Sequence, residues 1–116
     1  MKIYVTSSLV NSEYIENVVA MLQKHNHAVY RCSNSFQKNK GLVELSDVII
    51  VIVPCGIWPH FEIGYANGIN KKTIVYCIDS RTDLTIYKFA DFITNSIYEV
   101  LYILLRWEKD SNFYVV

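Results

Sequence analysis

The sequence lacks features that would assign it to several common classes of protein. No apolar run approaches the roughly 20 residues that a membrane-spanning helix needs, and no cleavable secretion signal precedes the first predicted strand. Acidic and basic residues number 11 each, and the basic ones form only small clusters such as Lys71 with Lys72. Nonspecific nucleic-acid binding requires many concentrated positive charges. We therefore expect neither a membrane nor long nucleic acid as a partner, and we expect a cytoplasmic protein.

Cysteine is scarce, and its number is odd. Of Cys32, Cys55 and Cys77, two fall in or beside predicted buried strands, which is typical of reduced thiols in an intracellular protein. Cys55 lies instead in a loop, where His60 is the only base close to it in sequence. A nucleophilic cysteine is one interpretation of that pair, and ordinary loop packing is the other.

Motifs for metal and phosphate binding are missing as well. His25 and His27 stand two residues apart without a further ligand nearby, so no metal site is predicted. The sequence contains no glycine-rich phosphate cradle and no Walker lysine, which disfavours a tightly bound triphosphate. We expect no cofactor.

Apolar residues are abundant enough for one compact domain. The 116 residues are 52% hydrophobic and 19% charged, a balance typical of a folded chain. No linker, repeat or low-complexity segment divides the sequence. We therefore predict a single domain over residues 1–116.

The centre of the chain predicts a strand, a loop, a helix and a second strand. Val48 to Val53 is continuously apolar, the pattern of a parallel strand that is covered on both faces, and Thr73 to Ile78 repeats it. Pro54, Gly56 and Pro59 interrupt the pattern between them. We expect the intervening helix to begin near Pro59.

The remaining elements complete an alternating order of strands and helices. We predict strands at Ile3 to Thr6, Ala28 to Arg31 and near Asp91 to Ile93, and helices after a cap at Asn11 or Ser12, from Phe36 to near Leu45, and from Ile97 to about Trp107. This order predicts an α/β fold: a doubly wound, five-stranded parallel sheet of flavodoxin-like order 2-1-3-4-5 with helices on both faces.

The last predicted helix is apolar on nearly every side. One face can pack on the sheet, so the other faces need another partner. We therefore predict a homo-oligomer formed through the C-terminal helix. The apolar tail of Phe113, Tyr114, Val115 and Val116 is expected to pack on its own subunit or on the neighbouring one.

Ionisable and polar side chains collect where the predicted strands end, which is where open parallel sheets bind ligands. Glu62 is expected in the first turn of its helix, where the unpaired N–H groups favour an anion. It either acts at the crevice or only complements the helix dipole. Ser7 and Ser8 follow the first strand, and Asp79 follows the fourth, where it either faces the crevice or begins a turn.

Four segments together resemble the nucleoside 2-deoxyribosyltransferases and the related nucleoside and nucleotide N-glycoside hydrolases. They are KIYVTSS, SDVIIVIVP, PCGIWPHFE and EIGYANGINK, so the resemblance covers the chain to about Ile78 and is weaker beyond. It implies that Glu62 is a nucleophile that attacks the anomeric carbon of a nucleoside and holds the sugar as an ester. It also implies that Ser8 contacts the sugar or a 5′-phosphate.

The sequence departs from that family at two places. Asn39 stands eight positions before Asp47, where the family carries an acidic residue, and an amide cannot supply a proton. The chain is then a slow enzyme, an enzyme whose acid is His60 or Asp79, or an inactive binder. Val10 stands where phosphate-preferring relatives carry an arginine.

These observations lead to one main prediction and two alternatives. The chain is expected to cleave or transfer at the N-glycosidic bond of a nucleoside or nucleotide, with Glu62 and Asn39 as catalytic residues. The substrate is expected to lie among Ser7, Ser8, Gly56, Trp58, His60 and Asp79, with Trp58 either stacking on the base or closing the pocket. The alternatives are a non-catalytic module that binds a nucleotide-derived metabolite and a NAD-consuming glycohydrolase.

Overall fold

A computed structural model describes the backbone of residues 1–115 and the side chains of residues 1–110. Five parallel strands form one sheet in the order β2-β1-β3-β4-β5, which confirms the predicted topology. The strands are β1 (Lys2–Thr6), β2 (Ala28–Arg31), β3 (Val48–Val53), β4 (Lys72–Cys77) and β5 (Phe92–Thr94).

Four α-helices cover the two faces of this sheet. They are α1 (Ser12–Lys24), α2 (Phe36–Leu45), α3 (Ile57–Gly68) and α4 (Ile97–Val115), and single 3₁₀ turns occupy Leu9–Asn11 and Thr85–Tyr87. Helices α1 and α4 pack on the face that carries Ile3 and Ile50. Helices α2 and α3 pack on the opposite face, which carries Tyr4 and Ile49.

Strand β3 explains why the central sequence is continuously apolar. It lies between β1 and β4, and each of its six residues is buried. Alternate side chains of a strand point to opposite faces of the sheet, and here both faces are covered by helices. A polar residue at any position of β3 would therefore be placed in the core.

Helix α3 begins two residues earlier than the sequence predicted. Gly56 is its N-cap, and Pro59 occupies the third position of the first turn, where its missing N–H has no helical partner in any case. Glu62 consequently lies in the second turn. The expectation that first-turn N–H groups hold this carboxylate was wrong, because side chains of other elements hold it instead.

Helix α4 is longer than predicted. It was expected to end near Trp107 but continues to Val115, and the sequence Ile97–Val115 contains neither glycine nor proline to stop it. The side chains of the apolar tail, Phe113 to Val116, lie outside the described residues. Within the described part of the chain, no helix is both long and apolar enough to cross a membrane.

Candidate active site

A cavity of about 470 Å³ lies at the carboxyl ends of β1 and β3. This is the edge at which doubly wound sheets bind their ligands. The loop after β1, the loop after β2 and the starts of α2 and α3 form its walls. Its polar lining consists of Glu62 together with Thr6, Ser7, Ser8, Ser33, Asn34 and Asn39.

Glu62 is the acidic residue of this cavity and is only 3% exposed. Its Oε1 accepts hydrogen bonds from the Tyr4 hydroxyl at 3.0 Å and the Thr6 hydroxyl at 2.6 Å. Its Oε2 accepts one from Nδ2 of Asn39 at 3.0 Å. Burial of a carboxyl group is costly unless hydrogen bonds compensate for the lost water, and these three bonds do so. Since Oε2 accepts one hydrogen bond and Oε1 accepts two, Oε2 is the atom with capacity for a further contact.

Tyr4 combines a packing role with a site role. The sequence favoured sheet packing for this residue. Its side chain is indeed fully buried between the sheet and the helices α2 and α3. Burial and the adjacent negative charge of Glu62 raise the pKa of the Tyr4 hydroxyl well above its usual range. The hydroxyl therefore keeps its proton and stays a donor to Glu62 throughout the physiological pH range.

The orientation of the Asn39 amide is fixed by its neighbours. Its Oδ1 accepts hydrogen bonds from the backbone N–H and the hydroxyl of Ser33, at 2.8 and 2.9 Å. Its Nδ2 donates to the Ser33 carbonyl at 2.9 Å and to Glu62. An amide satisfies all four bonds, whereas a carboxylate here would face both the Ser33 carbonyl and the Glu62 carboxylate.

The two serines after β1 differ in what their hydroxyls are free to do. Ser7 donates to the Ile52 carbonyl at 2.7 Å and accepts from Nδ2 of Asn11 at 2.9 Å, so its hydrogen is committed to the fold. Oγ of Ser8 accepts from the Gly56 N–H, which leaves its hydrogen available to a ligand. Asn11 is at the N-cap position of α1, as predicted, but its side chain makes no capping bond and instead donates to Ser7 and to the Pro54 carbonyl.

Gly56 permits the close approach of the two loops at the cavity. A Cβ atom at this position would lie 3.2 Å from Oγ of Ser8, closer than a side chain is comfortably placed. The residue therefore contributes to the site through its backbone N–H and its lack of a side chain.

Two of the predicted site residues lie away from the cavity. His60 is on the cavity-forming helix but does not line the cavity, because its ring is held between the Gly56 carbonyl and the Tyr87 hydroxyl, each at 2.7 Å. Asp79 binds the backbone N–H and the guanidinium of Arg81 within its own loop, and these bonds lower the pKa of its carboxyl group. Neither side chain lines the cavity beside Glu62.

The pair of Cys55 and His60 is not arranged as a nucleophile and its base. Nδ1 of His60 lies 3.8 Å from the sulfur, but it must carry the ring hydrogen because it faces the carbonyl of Gly56. It therefore cannot accept the thiol proton. Burial and the charge of Glu62 raise the pKa of Cys55 to about 11, so the thiol form prevails at neutral pH.

Aromatic side chains form the rim of the cavity. Trp58 and Phe36 both line it, with ring centroids 5.5 Å apart, and Phe61 adds a third ring 5.8 Å from that of Trp58. Trp58 is 59% exposed and Phe36 is 45% exposed, which is unusual for side chains of this size. The sequence singled out Trp58, but Phe36 was assigned only to a helix, since their proximity depends on how α2 and α3 pack.

Comparison with known proteins establishes the fold. No protein-family model matches the sequence, and no curated protein matches it. A solved 2-deoxyribosyltransferase from Bacillus psychrosaccharolyticus superposes with a TM-score of 0.70 at 16% identity, covering 86% of this chain and 90% of that chain. A solved CMP N-glycosidase from Clostridium botulinum superposes with a TM-score of 0.64 at 20% identity, covering 90% and 98%.

These neighbours are the two kinds of enzyme that the sequence resemblance indicated. They share the α/β architecture with this chain over most of their own lengths. At such identities the likeness shows the fold alone.

Proposed function

We propose that this chain is a nucleoside 2-deoxyribosyltransferase-like enzyme that cleaves or transfers at the N-glycosidic bond of a nucleoside or nucleotide, with Glu62 as nucleophile. One observation carries the proposal. Glu62 is a buried carboxylate held by three neutral donors at the wall of a cavity of about 470 Å³. The fold that surrounds it is shared with a deoxyribosyltransferase and an N-glycosidase.

The arrangement suits a reaction through an oxocarbenium-like transition state. Positive charge develops on the anomeric carbon as the base departs, and a fixed carboxylate beside it stabilises that charge and then bonds to the carbon. Oε2 of Glu62 is the proposed attacking atom, because Oε1 is occupied by Tyr4 and Thr6. Water or a second base then releases the sugar.

The other cavity residues are assigned to substrate binding. The free hydrogen of the Ser8 hydroxyl is proposed to bind an oxygen of the sugar or of its 5′ substituent. The rings of Trp58 and Phe36 are proposed to contact the base, where stacking contributes about 1–3 kcal/mol per base in other nucleic-acid sites. Ser7 and Gly56 hold the two loops together beneath the substrate.

A second candidate function is a non-catalytic module that binds a nucleotide-derived metabolite. Asn39 favours it, because the amide cannot protonate a departing base. Such a module would use the same cavity and would release no base. The two functions are separated by measuring turnover and binding on the same samples.

We also propose that α4 mediates a homo-oligomer. Tyr98, Tyr102 and Leu105 of this helix are exposed, whereas Val100 and Leu104 face the core. Sedimentation of the wild type and of Tyr102→Glu tests this proposal. A smaller assembly in the variant supports it, and a monomeric wild type contradicts it.

The deciding experiment is a search for free base. The protein is incubated with a panel of nucleosides, nucleoside monophosphates and NAD, and products are separated by chromatography. Glu62→Ala should abolish release, while Glu13→Ala, an exposed acid in the first turn of α1, serves as the matched control. Binding measured by calorimetry without release would favour the non-catalytic module.

A further inference from the structure

The cavity presents a nucleophile without a proton donor. Among the residues with described side chains, 1–110, Glu62 is the sole acidic residue that lines it, and none of the lining residues is His, Lys, Arg or Tyr. The amide of Asn39 stands against Oε2 of Glu62. The thiol of Cys32 is directed at the carbonyl of Ser7, 3.7 Å away. Protonation of the departing base accelerates its loss from a neutral nucleoside, typically about 10²–10⁴-fold, and no described side chain of the lining is suited to protonate it.

The same cavity is suited to a positive charge. Of the described residues that line it, one is acidic, Glu62, and none is basic. The rings of Trp58 and Phe36 lie at the rim, and about half of each side chain is exposed, 59% and 45%. Cations are attracted to the faces of aromatic rings, and more strongly where water is excluded. A base that already carries a positive charge would thus be attracted both by the rim and by the carboxylate.

We propose, on the basis of the function proposed above, that the substrate is a nucleoside with a cationic base, such as an N-alkylated purine or a pyridinium. Oε2 of Glu62 bonds to the anomeric carbon as the carbon–nitrogen bond breaks. The bonding electron pair passes to the ring nitrogen and neutralises the base, which leaves without a proton. Water then bonds to the anomeric carbon, the ester to Glu62 breaks, and the proton of that water passes to solvent.

The test compares nucleosides that differ in charge. Release of base is measured from 7-methylguanosine and from guanosine, with nicotinamide riboside as a second cationic probe. Each rate is divided by the uncatalysed rate in the same buffer, because cationic nucleosides are intrinsically more labile. The acceleration should be at least about 100-fold larger for the cationic probes, which is the lower end of what general acid catalysis contributes. Asn39→Asp supplies an acid and should accelerate the release of base from guanosine. The difference in acceleration between the cationic probes and guanosine should therefore become smaller.

The outcomes separate this inference from the proposed function. One outcome is that release depends on Glu62 while the acceleration is equal for guanosine and 7-methylguanosine. In that case the inference of a cationic base is contradicted and the proposed function stands. If no base is released but calorimetry shows at least tenfold tighter binding of 7-methylguanosine, about 1.4 kcal/mol, the ligand class stands and cleavage is contradicted. If the protein neither binds nor cleaves any of the probes, both are overturned.

Discussion

Asn39 donates a hydrogen bond from Nδ2 to Oε2 of Glu62 across 3.0 Å, and both side chains are buried. This contact joins α2 to α3 beneath the cavity. It places a neutral donor, rather than a second carboxyl group, beside the proposed nucleophile. A second carboxyl group in that place would have to share a proton with it.

Asn39→Asp should therefore make the stability of the protein depend on pH. The new carboxyl pair retains one proton in the folded state, so its pKa lies above about 4, the ordinary value of a carboxyl group. Above about pH 4 the folded state therefore binds more protons than the unfolded state. Because of this difference, the free energy of unfolding falls as the pH rises. Thermal unfolding should show a lower Tm at pH 8 than at pH 5. If the Tm of the variant changes with pH in the same way as the Tm of the wild type, the two carboxyl groups do not share a proton.

Thr6→Val should lower kcat/KM more than Tyr4→Phe does. Both hydroxyls donate to Oε1 of Glu62, but the bond from Thr6 is the shorter, at 2.6 Å against 3.0 Å. Hydrogen bonds to charged groups contribute about 1.5–3 kcal/mol, and each 1.4 kcal/mol corresponds to a factor of ten in rate.

Thr85→Val is the control for this comparison. It removes a threonine hydroxyl that donates to a carboxylate, Asp83, over the same 2.6 Å but at the start of an exposed 3₁₀ turn. It should leave kcat/KM within about twofold of the wild type. An equal loss in all three variants would mean that the bonds to Glu62 have no special role.

Ser8→Ala should mainly raise KM, whereas Ser7→Ala should mainly lower the stability of the protein. Removing the Ser8 hydroxyl removes a proposed substrate contact, so KM should rise about tenfold. Stability should change little, because the bond that is lost with the Gly56 N–H is exposed and water can replace it. Removing the Ser7 hydroxyl leaves the Ile52 carbonyl without this donor, while the Asn11 amide keeps its bond to the Pro54 carbonyl, so the free energy of unfolding should fall by about 1–3 kcal/mol. Kinetics and urea unfolding of both variants test this division. The reverse pattern would place the ligand contact on Ser7.

Cys55 should react slowly with thiol reagents, and its rate should rise with pH. Its pKa is raised to about 11 by burial and by the charge of Glu62, so the reactive thiolate fraction grows about tenfold per pH unit up to that value. Labelling followed by peptide mass spectrometry distinguishes this site from Cys32 and Cys77. Cys55→Ala should also retain base release. Complete labelling at neutral pH within the time of the assay, or loss of activity in Cys55→Ala, would restore the cysteine as a candidate nucleophile.

The fold could be predicted from the sequence because its main signals are local. The continuous apolar run of β3 and the alternating order of strands and helices were sufficient for the sheet order, and the resemblance agreed with it. The start of α3 was missed, because Pro59 is compatible with any position of the first turn. The length of α4 was underestimated for a related reason, since an apolar helix that lacks glycine and proline gives no signal for its end.

The candidate site was predictable only in part. Glu62, Asn39, Ser8 and Trp58 were placed at one edge of the sheet by motif and topology, and the structure gathers them around one cavity. Thr6 was missed, since a threonine at the end of a strand has the same sequence pattern whether or not it faces a carboxylate.

Contacts between elements that are distant in sequence decide which side chains line the cavity. His60 is two positions before Glu62, but its ring is drawn away by Tyr87, 27 residues along the chain. Phe36 and Trp58 meet only because α2 and α3 pack side by side. No local pattern in the sequence reports such long-range contacts.

The most direct test of the account is to look for the sugar on Glu62. The protein is mixed with a nucleoside that it cleaves, quenched in acid, digested and mapped by mass spectrometry. The peptide containing Glu62 should gain the mass of one sugar residue, and Glu62→Gln should show no such gain. Release of base without any adduct on that peptide, together with undiminished release by Glu62→Gln, would contradict it.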